Sequence, residues 1–153
     1  MMRDEEFMRL ALQLAKQAAD EGEVPVGAVV VKNGEIIGRG YNRRETLCSV
    51  LHHAECAAIE GAAKNLGSWR LNDCTLYVTL EPCPMCAGAI INARLPRVVF
   101  GTRDEEKGAC ASRINLFELG FGFIPAMREG VLQQECAALL QEFFTAVRGQ
   151  KKE

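Results

Sequence analysis

The sequence predicts an α/β fold in which a mixed sheet is covered by helices on both faces. Three observations carry that expectation: two β-rich runs meet at Asn33-Gly34, a helix–strand–helix–strand alternation follows, and helix-periodic segments begin and end the chain. Strands joined by a tight hairpin run antiparallel, whereas a strand–helix–strand crossover leaves its strands parallel. One sheet must therefore contain both senses.

The elements follow in order. Residues 4–21 repeat Phe7, Leu10, Ala11, Leu14 and Ala18 at helical spacing. Val24 to Val31 forms an apolar strand, Asn33-Gly34 supplies a two-residue turn, and Glu35 to Tyr41 returns antiparallel. Ala54 to Asn65 is expected to be helical. Thr75 to Leu80 is β-branched and aromatic, as a buried strand should be, and Ala87 to Arg94 continues as a helix. Arg97 to Thr102 makes a fourth strand, and helix returns over Leu132 to Val147. The stretch 112–128 shows no period, and most of the aromatics around its Gly120-Phe121-Gly122-Phe123 run are expected to pack a loop onto the core.

Composition bounds the rest. With 153 residues, 48% of them hydrophobic, a single domain over 1–153 can bury a core without disulfides. Seven cysteines are an odd number without paired spacing, which points to a reducing compartment, the cytoplasm. Met-Met-Arg-Asp-Glu-Glu lacks the basic and apolar regions of a leader, and no run approaches the ~20 apolar residues of a membrane span. A net charge of −2 argues against broad, sequence-independent nucleic-acid binding but leaves room for a local basic face.

The chemistry is concentrated in His53-Ala54-Glu55 and Pro82-Cys83-Pro84-Met85-Cys86. One imidazole and two thiolates offer three zinc ligands and leave the fourth position to water, the pattern of a catalytic rather than a structural site. Glu55 is then the proton shuttle. Cys83 and Cys86 fall at a strand-to-helix junction, where free N–H groups and the helix dipole stabilise anionic sulfur, and Pro82 and Pro84 suit a first helical turn. Two other readings compete: a redox dithiol, for which a partner His would be superfluous, and a closed Cys3His site completed by Cys56. His52 has no Glu two residues on, so it is expected to be exposed or packed in a loop.

These motifs, with Glu23 to Val29, Gly40-Tyr41-Asn42, the run Leu76 to Arg94, Val98 to Gly101, Arg103-Asp104 and Glu135 to Leu140, resemble the bacterial tRNA-specific adenosine deaminases of the cytidine-deaminase-like superfamily over nearly the full length. The resemblance implies a three-layer α/β/α sandwich around a mixed five-stranded sheet. It also implies a homodimer that converts the wobble adenosine of a tRNA anticodon stem-loop to inosine, with one Zn2+ per subunit on His53, Cys83 and Cys86, and Glu55 moving protons. Asn42 matches the base-contacting asparagine; Val26 and Asp104 are the other expected substrate contacts. Arg43, Arg44, Arg103, Arg113 and Arg148 are candidate phosphate contacts. The chain departs from the family in Cys48 to His52, in Phe121 to Ala126 and in a thin basic tail. Those departures keep two rivals in view: a deaminase of free guanine, a purine nucleoside or a nucleotide, and a non-catalytic zinc-folded module that binds RNA or protein.

Overall fold

The computed structural model describes residues 2–151. Helix α1 spans Met2–Asp20, followed by strands β1 (Gly27–Lys32) and β2 (Glu35–Tyr41), helix α2 (Ala54–Leu66), β3 (Cys74–Leu80), α3 (Pro84–Asn92), β4 (Arg97–Thr102), β5 (Ala126–Glu129) and α4 (Gln133–Lys151). The sheet order is β2-β1-β3-β4-β5. β1 pairs antiparallel with both β2 and β3, whereas β3, β4 and β5 run parallel. The sheet is mixed, as expected.

Alternation along the strands builds the two outer layers. Ala28, Val30, Leu76, Val78, Val98 and Phe100 point to the face covered by α2 and α3 through Ala54, Ala58, Ala62, Ala87 and Ile90. Val29, Val31, Tyr77 and Val99 point to the other, where Phe7, Met8, Ala11 and Leu12 of α1 and Cys136 of α4 meet them. The result is a three-layer α/β/α sandwich.

Most element boundaries agree with the expected ones, and three do not. β1 begins at Gly27 rather than Val24, because Pro25 has no N–H for a ladder and the Val26 amide turns back to the Val24 carbonyl at 2.9 Å. α3 begins at Pro84 rather than Ala87; proline is tolerated in the first turn, so the helix already includes Cys86. The aperiodic stretch 112–128 holds a 3-10 turn at Leu116–Glu118 and, at its end, the start of β5. Phe117 is buried there and Phe123 packs partly buried against the core, as expected for most of these aromatics, whereas Phe121 is 60% exposed.

The Asn33-Gly34 hairpin is built as expected, with φ of 52° and 78°, the positive pair a type I′ turn requires. Gly40 performs a different service. A Cβ there would come within 2.7 Å of Ala57 Cβ and of the Ala58 amide, so the absence of a side chain lets the first turns of α2 lie directly on β2. That contact sets the position of His53 and Glu55.

Candidate active site

Two helix starts converge at the C-terminal end of β3. His53 caps α2 with extended backbone (φ −82°, ψ 154°), and Cys83 caps α3 likewise (φ −76°, ψ 174°), with Pro84 beginning the helix. The His53 Nδ1 atom lies 3.6 Å from Cys83 Sγ and 3.5 Å from Cys86 Sγ. All three ligand atoms are within 4.8 Å of one another. Two ligands of a tetrahedral zinc, at about 2.0 and 2.3 Å from the ion, stand about 3.6 Å apart, so the donor set fits that ion in both chemistry and spacing. Neither Glu55 nor Cys56 belongs to this cluster. Cys56 does approach one member, Cys86, at 3.7 Å between sulfurs. The cluster is therefore a three-donor metal-binding site with Cys56 behind it.

The electrostatics suit a cation. A hydrogen bond from the Cys86 thiol, with further help from His53, overcomes burial and pulls the Cys83 thiol down to about 4. Its neighbours push Cys86 the other way, Cys56 first and Cys83 next, with burial adding to the shift. Without a cation the pair holds one negative charge most easily; a cation releases the second proton. His53 is raised, first by its hydrogen bond to Cys83. Burial pushes the Glu55 carboxyl up to about 7, and the nearby Cys83 charge adds to the effect. A bound cation draws it back toward the ionised form.

His53 and Cys83 of the cluster line a cavity of about 1120 Å³, with Cys86 buried outside the lining. Val26, Asn42, His53, Glu55 and Cys83 line its depth; Arg44, Arg103, Asp104, Lys107 and Arg148 line its outer part. Asn42 is partly committed to the protein: its Oδ1 accepts from the Ala54 amide at 2.9 Å and its Nδ2 donates to the Val24 carbonyl at 3.2 Å. It thereby ties the start of α2 to the segment before β1, with one amide proton and one lone pair to spare.

Of the five candidate arginines, the structure gathers three. Arg44, Arg103 and Arg148 line the cavity, whereas Arg43 and Arg113 do not. Arg43 turns its Nε toward Glu21 at 3.6 Å and lies over the Tyr41 ring. Arg113 follows a loop whose backbone closes on Gly108 and is exposed elsewhere. Arg103 is also held by Glu129 at 3.0 Å.

Sequence reasoning missed several lining residues. Lys107 and the α4 residues Phe143, Phe144 and Val147 border the cavity, and no local pattern places them beside His53. Two buried carboxylates were missed as well. Glu23 accepts from the Glu45 amide at 3.1 Å, the Thr46 amide at 2.7 Å and the Thr46 hydroxyl at 2.6 Å, fixing the loop after Asn42. Glu81 does the same for the loop after β4. Their signal in the sequence was a charge at the margin of an apolar run.

Residues 2–148 match the MafB19-like deaminase family. A tRNA-specific adenosine deaminase from Bacillus subtilis is 48% identical over 153 residues, covering 99% of this chain and 95% of its own length. The chain belongs to the tRNA-specific adenosine deaminase family. A structure from a study of A-to-I editing by tRNA:A34 deaminases aligns with this deaminase at a TM-score of 0.85 and 42% identity, over 88% of this chain and 98% of that one. A guanine deaminase from Nitrosomonas europaea aligns at 0.80 with 25% identity, over 91% and 83% of the two chains. The same fold thus occurs in proteins described as tRNA:A34 deaminases and as a guanine deaminase.

Proposed function

We propose that this chain hydrolytically deaminates adenosine to inosine at the wobble position of a tRNA anticodon loop, with one zinc ion held by His53, Cys83 and Cys86. The observation that carries this reading is the three-donor cluster with Glu55 buried beside it, in a chain nearly half identical end to end with a tRNA-specific adenosine deaminase. Zinc at that site supplies a Lewis acid that activates water at neutral pH. The protein groups do the rest. Glu55 takes the first proton of the attacking water and passes it to the ring nitrogen, then carries the second, from the new C6 hydroxyl, to the amine, which leaves as ammonia. Asn42 orients the extruded base with its spare donor and acceptor, and Val26 forms part of the wall. Asp104 and the cationic groups of Arg44, Arg103, Lys107 and Arg148 meet the flanking nucleotides at the mouth, where phosphates are the natural partners of the four cations.

The reading extends to a cytoplasmic homodimer made of single-domain subunits. Among the described residues no helix is long and apolar enough to cross a membrane. The deciding experiment supplies the zinc-loaded chain with an anticodon stem-loop carrying one loop adenosine and, separately, with adenosine and guanine. Inosine and ammonia are expected from the stem-loop, with little turnover of the free compounds and with binding that weakens as salt rises. Turnover of free guanine with an untouched stem-loop would replace this reading by a small-molecule deaminase.

A further inference from the structure

We infer that Glu81 is a positioning residue for RNA binding: its buried carboxylate is the template on which the wall Arg103 to Ser112 is folded, so its loss weakens substrate binding and spares the chemical step. This rests on the tRNA reading above.

Glu81 is 2% exposed, and among the described residues it has no cationic partner within ion-pair distance. A buried carboxylate without a cation is costly unless hydrogen bonds satisfy its oxygens. Here a single loop satisfies them. Oε1 accepts from the Asp104 amide at 3.1 Å and from the Ser112 hydroxyl; Oε2 accepts from the amides of Cys110, Ala111 and Ser112 at 3.1, 2.7 and 2.9 Å. Both ends of the loop therefore close on one side chain. The loop also wraps it tightly, because a Cβ on Gly108 would collide with the Glu81 carboxylate.

What the template presents is the outer cavity. With its backbone held at Glu81, Asp104 accepts through Oδ1 from the amides of Glu106 and Lys107 at 3.1 Å each, and this turn places Arg103, Asp104, Glu105, Glu106 and Lys107 along the lining. None of these residues belongs to the metal cluster. Although Glu81 immediately precedes Pro82-Cys83, its side chain bonds only to the loop, while its backbone amide stays in the sheet, bonded to Thr102 at 2.9 Å. The loop meets the backbone of the metal motif through the Ala109 amide, which donates to the Pro82 carbonyl at 2.9 Å, whereas the Glu81 side chain bonds to the loop alone.

Glu81→Gln isolates the side-chain role, since its amide group would aim protons at N–H donors. The full-length zinc-loaded variant is assayed on the stem-loop. KM should rise about tenfold or more with kcat changed by less than about threefold, zinc should stay at one per chain, and the amides of Cys110 to Ser112 should exchange faster. Gly108→Ala, distant from the ligands in sequence, should reproduce this split. Unchanged KM with unchanged exchange overturns the proposal, as does loss of zinc or a fall in kcat alone, which would tie Glu81 to the metal motif instead. Should Glu81→Gln fail to fold, Ser112→Ala decides: a raised KM supports the template and an unchanged one removes it. Failure of the wild-type chain to deaminate the stem-loop would refute the tRNA reading, while the exchange measurement, made without substrate, still tests the template.

Discussion

Glu55 differs from the neighbouring metal-binding groups in two ways: it is outside the three-atom cluster, and burial holds its carboxyl near neutrality. A group that is not a ligand but exchanges protons readily is suited to acid–base work. Glu55→Gln should therefore retain zinc and fold while deamination falls on the order of 10² or more, read as inosine formed in a single turnover. Cys56 tests the boundary of the centre from the other side. It touches Cys86 alone of the cluster's sulfurs, so Cys56→Ala should keep one zinc per chain by metal analysis. Loss of the ion in that variant would restore the closed Cys3His site and remove the open position the chemistry needs.

Among the elements, α1 is fastened to the far end of the sheet by one side chain. Asp4 accepts from Tyr77 at 2.7 Å, from Arg97 at 2.9 and 2.7 Å and from Arg128 at 2.6 Å, which joins α1 to β3, β4 and β5 at once. The Arg97 hydrogen bonds, followed by those from Tyr77 and Arg128, hold the Asp4 carboxyl well below the usual carboxylate range despite burial. The folded state thus binds the Asp4 proton more weakly than the unfolded chain. The stabilisation is present above the ordinary value of 3.8 and is lost progressively as pH falls below it. Both arginines are more than a third exposed, so screening reduces the contribution from the 3–5 kcal/mol of a fully buried pair to about 2 kcal/mol. Asp4→Asn should lose about that much in urea unfolding at pH 7, and the difference from wild type should shrink toward pH 3. A difference that stays constant with pH would show that shape, not charge, fastens the helix.

For the whole molecule, the unexplained feature is exposed apolar surface. Val50 and Leu51 before the metal ligands, and Leu119, Phe121 and Ile124 after the 3-10 turn, are each more than half exposed. Val50 and Leu51, and Phe121 and Ile124, fall in two of the three segments noted above as unlike the resembled family, and apolar side chains in such numbers suit burial against another copy. The proposed homodimer predicts a sedimentation mass of twice 16.8 kDa at micromolar concentration. Leu51→Glu with Ile124→Glu should shift the equilibrium toward monomer at unchanged zinc content. A wild-type chain that stays monomeric across the concentration range would rule the dimer out.

The metal centre was legible in the sequence because its information is local. His53 and Glu55 are two residues apart, Cys83 and Cys86 three, and imidazole and thiolate are the donor types a metal-binding cluster takes, with a carboxylate beside them. The hairpin and the strand–helix alternation were legible for the same reason, since turn chemistry and periodicity are properties of neighbouring residues. Two features had no such trace. β5 is only four residues long, exposed throughout, and exists because Ala126 to Glu129 pairs in parallel with Arg97 to Phe100 of β4. The binding wall is equally non-local: Glu81 bonds to amides 23 to 31 residues away, α4 carries Phe143 and Phe144 to a cavity founded on His53, and Glu21 keeps Arg43 from joining Arg44 there. Sequence chemistry therefore determined the three-donor cluster, whereas tertiary packing decided which side chains surround it, because contacts between distant segments leave no period or spacing in the chain.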